Sequence, residues 1–141
     1  MTVLLRGFRR YWRSQSGATA TEFALVCFPL LLLVLGIIEF GRALYVQNDL
    51  SYAADIAARK VLIGQIARDA PDSEAQAKLE SAVRDNFDSG DRLLLQISVA
   101  KEMVDGIPFR VLSVRYPFTF FIPGLAEGPI SLELSRRIPI G

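Results

Sequence analysis

The feature that most constrains the fold of this chain is the uncharged apolar run from Phe23 to Ile38. A helix that spans a bilayer needs about 20 predominantly apolar residues, with a range of roughly 17–25. Counting from Ala18 or Ala20 to Phe40 satisfies that requirement. The run therefore predicts a helix that crosses a membrane once.

The charges that precede this run predict its orientation. Arg6, Arg9, Arg10 and Arg13 all come before Gly17, with no acidic residue among them. Positive residues beside a span favour the cytoplasmic side, so we expect the N-terminus inside and the rest of the chain in the periplasm. The whole chain has a net charge of only +1, which does not suggest a nucleic-acid partner.

Composition argues against an enzyme or a metalloprotein. The chain has no histidine, the commonest general base and metal ligand. Its single cysteine, Cys27, lies inside the apolar run, so an intramolecular disulfide is excluded and a thiolate metal site is not expected. We see no catalytic set and no glycine-rich loop after a strand, and we predict no catalysis and no cofactor.

A glycine and an acid stand directly before the run, in Gly17-Ala-Thr-Ala-Thr-Glu22. An acid at the mouth of a membrane helix is rare unless it has a function. The spacing resembles the processing site of type IV prepilins and pseudopilins, which prepilin peptidase cuts after the glycine. The resemblance implies a mature chain that begins at Ala18, in which Glu22 is the fifth residue and pairs with the N-terminal amine of a neighbouring subunit.

Other interpretations of the N-terminus explain less of it. A signal peptide places its small-residue cleavage site after the apolar region, whereas Ala18-Thr-Ala20 precedes it. A lipoprotein cut at Cys27 would have a small residue before the cysteine, where Val26 stands. An uncleaved single-span anchor accounts for the leader and the run but not for Glu22, and it stays open as the alternative.

The helix is predicted to continue beyond the membrane, to about residue 66. Apolar residues recur there at three- and four-residue intervals, as in an amphipathic helix. The recurring residues are Leu50, Ala53, Ala54, Ala57 and Val61.

Glu39 and Arg42 close the apolar run and are spaced to form a salt bridge on one helix face. An exposed pair of this kind contributes little to folding stability, about 0.2–1 kcal/mol. Two roles stay open for it: marking the end of the membrane, or contacting another pilin-like subunit.

The stretch from Glu22 to Ala54 closely resembles the TadE-like family, pilin-like proteins of the tight-adherence (Tad, or Flp) pilus system. The resemblance covers roughly residues 17–60. It is carried by Glu22-Phe, by Pro29 after the first apolar turn, and by Gly-Ile-Ile-Glu-Phe-Gly-Arg ending at Arg42.

This resemblance implies a minor pilin or pseudopilin of the bacterial inner membrane, or of the extracellular pilus once assembled. The implied partners are prepilin peptidase, a TadF-like pseudopilin, the major Flp pilin and the inner-membrane assembly platform. A TadF-like role is the alternative within the system. The alternative of a different class is an unprocessed single-span protein whose outer domain binds another component.

The C-terminal half predicts a second helix and three strands. Asp72 opens the helix, with a capping box of Ser73 and Gln76, and Leu79, Ala82, Val83 and Phe87 share one helix face. Alternating apolar residues then predict strands from Leu93, from Phe109 to Phe118 and from Ile130, with a turn at Asp105-Gly106. We therefore expect an α+β, pilin-like fold: a leader (1–17), a long helix (18–66), and a small domain (67–141) in which the second helix packs on an antiparallel sheet.

Phe118, Phe120, Phe121 and Ile122 form an apolar stretch after the second predicted strand. Apolar residues concentrated in a loop often mark an interaction surface. The alternatives are that they fill the core beneath the loop, which we favour, or lie on the membrane surface.

Overall fold

A computed structural model describes residues 15–122, 124 and 126–140, without the side chains of residues 15 and 16. The basic residues of the predicted leader, at positions 6 to 13, lie outside the described residues. The helices are α1 (Gln15–Leu62) and α2 (Asp72–Asn86), with a short 3₁₀ turn at Arg92–Leu94. The strands are β1 (Gln96–Val104), β2 (Ile107–Phe118) and β3 (Ile130–Pro139).

The strands form one antiparallel sheet in the order β1-β2-β3, with β2 in the centre. Asp105 and Gly106 join β1 to β2 as a two-residue loop, and both have positive φ, at 52° and 79°. Two such residues fit a type I′ turn, whose twist matches that of the flanking strands. A long apolar helix, a second helix and an antiparallel sheet confirm the predicted α+β class.

Helix α1 ends at Leu62, earlier than the predicted end near residue 66. Gly64 has a φ of 79°, a conformation that glycine adopts readily and that commonly terminates helices. The amides of Gly64 and Ile66 donate to the carbonyls of Val61 and Lys60, at 3.1 Å each. These bonds turn the chain away from the helix axis.

The predicted capping box of α2 is wrong. Pro71 occupies the N-cap, with φ −52° and ψ 146°, and no side chain caps the helix. Because the helix begins immediately after the proline, Ser73 already lies inside it. The predicted apolar face of α2 is confirmed: Leu79, Ala82, Val83 and Phe87 are all buried.

The predicted strand from Leu93 is also wrong at its start. The Asp91 carboxylate accepts a hydrogen bond from the Leu93 amide at 2.9 Å and caps the 3₁₀ turn there. Leu93 is 86% exposed, and the strand begins at Gln96. The alternation of leucines around Leu93 is therefore not a strand pattern.

The core of residues 39–140 lies between the outer half of α1, helix α2 and one face of the sheet. The alanines of α1 allow this close packing because they have almost no side-chain volume to accommodate. The fully buried members include Leu50, Ala53, Ala54, Ala57, Val61, Leu79, Val83, Phe87 and Leu112.

Candidate processing and assembly site

Gly17 and Ala18 lie near the N-terminal end of α1. The hydroxyl of Thr21 donates to the carbonyl of Gly17 at 2.9 Å, the carbonyl of the predicted scissile bond. A hydroxyl bonded to the carbonyl four residues earlier slightly destabilises and often bends a helix. Among the described residues, a Cβ built on Gly17 meets nothing within 4 Å, so their packing does not itself require a glycine there.

Glu22 is exposed one helical turn after Ala18. Residues four apart lie on the same helix face, so its carboxylate faces the same side as the residue that would carry the new N-terminus. Within the part of the chain that the structure describes, the side chain of Glu22 makes no hydrogen bond or ion pair.

The apolar side chains that follow Glu22 are exposed around the helix. Phe23 is 70% exposed, Leu31 54% and Ile37 63%. Within α1, an 18-residue window has a mean hydropathy of 2.6, and only 6% of that window is buried. The helix is long and apolar enough to cross a membrane, which fits a single-pass membrane protein.

Glu39 and Arg42 form the predicted salt bridge, at 3.0 Å between Oε2 and Nη2. The pair is not the exposed one expected from the sequence, because Glu39 is only 4% exposed. The same Oε2 accepts a hydrogen bond from the amide of Phe121 at 3.3 Å, and Arg42 donates to the carbonyl of Thr119 at 2.5 Å. The pair thus ties α1 to the loop after β2.

The three phenylalanines at the end of β2 and just after it have different surroundings. Phe118 is buried at 2% exposure, and Phe120 packs against it edge-on, with ring centres 5.3 Å apart. Phe121 is 75% exposed. The guanidinium of Arg42 lies 4.5 Å from the ring centre of Phe118 and 3.7 Å from that of Phe121. The structure therefore brings all five residues of the predicted interface into one intramolecular cluster, and their contact with another subunit stays a prediction.

Two polar connections were missed by the sequence analysis. The first is Arg110, 1% exposed, which donates to the carbonyl of Ala70 at 2.5 Å. The Oδ1 atom of Asp72 lies 3.6 Å from Nη2 of Arg110. The same oxygen lies 2.7 Å from Nζ of Lys101, with which it forms an ion pair. The hydrogen bond from Lys101 lowers the pKa of Asp72, aided by the charges of Lys101 and Arg110 and opposed by partial desolvation. A sequence signal existed, because Arg110 is in phase with the apolar residues of β2.

The second connection is Asp49 on α1, whose carboxylate accepts from the amides of Asp88 and Ser89 at 2.9 and 2.8 Å. It fixes the segment that follows α2 against α1. Nothing in the local sequence pattern identifies this pairing, because the partners are far apart along the chain.

Within the described residues, no group of three or more histidine, cysteine or acidic side chains is arranged to hold a metal ion. Cys27 is a free, half-buried thiol.

Comparison with known protein families gives a match to part of the chain. The family model of TadE-like protein matches residues 17–59, which confirms the resemblance drawn from the motifs. The matched range includes Gly17, Ala18, Glu22, Glu39 and Arg42 and leaves out α2 and the sheet. No curated protein and no solved structure matches the chain. The match covers less than half of the chain, and it suggests a protein associated with a Tad pilus.

Proposed function

We propose that this chain is a minor pilin or pseudopilin that takes part in the assembly of a Tad pilus. The observation that carries the proposal is the TadE-like match over the very segment that holds Gly17, Glu22 and the exposed apolar helix. The protein would act by membrane anchoring and helix packing, without chemistry of its own.

The first step is cleavage between Gly17 and Ala18 by prepilin peptidase at the cytoplasmic face. A protease binds its scissile bond in an extended form, so the helix must open locally. Glycine is about 1 kcal/mol less favourable than alanine in a helix interior, which lowers the cost of opening at Gly17. The bond from Thr21 to the Gly17 carbonyl must also break.

Cleavage would create a positive amine on Ala18 at the head of an apolar helix. An unpaired charge is costly in such surroundings. The exposed Glu22 carboxylate is free to pair with the amine of a neighbouring subunit, and it lies on the same helix face as Ala18 of its own chain. The pairing would fix the relative height of adjacent helices.

The outer half of α1 supports packing on other pilin-like chains. Its inward face is covered by the protein's own core, whereas Leu44, Tyr45 and Tyr52 are 48%, 68% and 59% exposed. Aromatic residues supply large contact areas at protein interfaces. We propose that a TadF-like pseudopilin, the major Flp pilin and the inner-membrane platform are the partners.

Replacing Glu22 by glutamine separates processing from assembly. Because the amide keeps the shape and removes the charge, E22Q should be cleaved normally but should fail to enter or support the pilus. Glu74→Gln is the matched control, since Glu74 is also an exposed acid near the start of a helix. Pilus yield and co-purification of pilin-like subunits measure the effect. Normal assembly with E22Q would contradict the charge-pairing role.

A further inference from the structure

Of the three phenylalanines at and just after the end of β2, only Phe121 is largely exposed. Its side chain is 75% exposed, whereas Phe118 is buried and Phe120 half-buried. Its ring is nevertheless held in place, with the Arg42 guanidinium 3.7 Å from the ring centre. An aromatic ring that is fixed in an exposed position is suited to a contact outside the chain, because aromatic residues are enriched at interfaces.

The backbone beside Phe121 is fixed as well. The amide of Phe121 donates to Glu39 at 3.3 Å, and the carbonyl of Thr119 accepts from Arg42 at 2.5 Å. The loop is therefore attached to α1 at the level of residues 39–42.

That level is the outer boundary of the apolar run. Glu39 is the first charged residue after the run that begins at Phe23. The uncharged run is shorter than the about 20 residues that a span requires, and a span counted from Ala20 reaches Phe40. The adjacent Phe40 is itself 64% exposed. This places the hydrocarbon boundary near Phe40, beside the point where Phe121 is attached.

The charges at this level are arranged so that they do not oppose contact with lipid. An isolated carboxylate near hydrocarbon is costly. Glu39 is only 4% exposed, and it pairs with Arg42 and the Phe121 amide. The guanidinium of Arg42 lies over the ring of Phe121, and Phe121 is more exposed (75%) than the Arg42 side chain (30%).

We propose that Phe121, together with Phe40, is an aromatic anchor that lies in the interfacial region of the bilayer that α1 crosses. Trp and Tyr are enriched at the headgroup level of membrane proteins, and Phe is among the apolar residues that insert at the boundary between headgroups and acyl chains. The occupant of this surface is lipid, because its point of attachment coincides with the boundary of the span. The inference depends on the span and not on cleavage or pilus assembly.

Tryptophan fluorescence in lipid tests the anchor directly. The full chain carries a single tryptophan, Trp12, so Phe121→Trp in a Trp12→Phe background places the only tryptophan at position 121. The protein is reconstituted in phosphatidylcholine vesicles with bromine either near the carbonyls or near the chain ends. A Leu93→Trp variant in the same background is the control, since Leu93 is 86% exposed and lies after α2.

We expect the Phe121→Trp variant to show blue-shifted emission, strong quenching by the shallow bromines and weaker quenching by the deep ones, and Leu93→Trp to show none of these effects. Emission from Phe121→Trp that bromolipids leave unchanged and aqueous iodide quenches would overturn the proposal. Emission shielded from both quenchers would overturn it too, because the introduced ring would then be covered by protein. Circular dichroism of both variants checks that they fold alike.

Discussion

Residues 15–38 and the described part of residues 39–140 contain similar apolar side chains but expose them very differently. Leu31 and Ile37 are 54% and 63% exposed, whereas Leu50 and Leu79 are fully buried. In the second region the apolar residues of α1 form a stripe that meets a sheet and a second helix. In the first, apolar residues surround the helix, a distribution found in membrane spans or deep cores. Apolar content alone does not separate the two cases; its distribution around the helix does.

Truncating one leucine in each region should give the sharpest contrast. Leu50→Ala removes a fully buried side chain and should lower the free energy of unfolding of the outer region by about 2–5 kcal/mol. Leu31→Ala, at an exposed site, should change it by no more than about 0.5 kcal/mol. Urea unfolding of the full chain in detergent, followed by the near-ultraviolet signal of the packed Phe87–Tyr116 pair, measures both. If both variants lowered the free energy of unfolding equally, the two regions would not differ in the way proposed.

A smaller effect is expected from the electrostatics of the outer region. The pKa of Asp72 is lowered, mainly by its hydrogen bond with Lys101. A carboxyl whose pKa is lower in the folded state contributes stability that is present above its unfolded pKa and lost as the pH falls through the folded value. The stability difference between wild type and Asp72→Asn should therefore shrink as the pH is lowered from about 5.

Urea unfolding over that pH range measures this difference. Asp69→Asn, an exposed acid in the same connection, is the control. A difference for Asp72→Asn that does not vary with pH would show that the ion pair with Lys101 contributes nothing to stability.

The sequence predicted the features that depend on local pattern. The apolar run, the face of α2 and the Asp105-Gly106 turn all follow from periodicity or from the conformations that particular residues favour. The start of β1 was wrong because alternation around Leu93 cannot show that Asp91 caps a 3₁₀ turn. The capping box was wrong because Pro71 already takes the N-cap.

Long-range contacts could not be predicted in this way. The spacing of Glu39 and Arg42 predicted their salt bridge, but the burial of Glu39 depends on contact with a loop 82 residues further along the chain. The same holds for Asp49, which binds backbone amides 39 and 40 residues away. Periodicity also gave no way to tell that Phe118 is buried and Phe121 exposed.

The central claim, that this is a processed pilin-like subunit, is tested most directly by its N-terminus. Mass spectrometry of the membrane-derived protein, from cells with and without prepilin peptidase, identifies the first residue. Gly17→Val tests the processing site, with Gly41→Val as the control, because both are helical glycines at which a Cβ meets nothing within 4 Å.

We predict that the wild type and Gly41→Val begin at Ala18 when the peptidase is present. Gly17→Val, and every chain made without the peptidase, should keep the residues that precede Ala18. A wild-type chain that keeps the residues before Ala18 in both kinds of cell would contradict the account and leave an uncleaved membrane anchor with an outer binding domain.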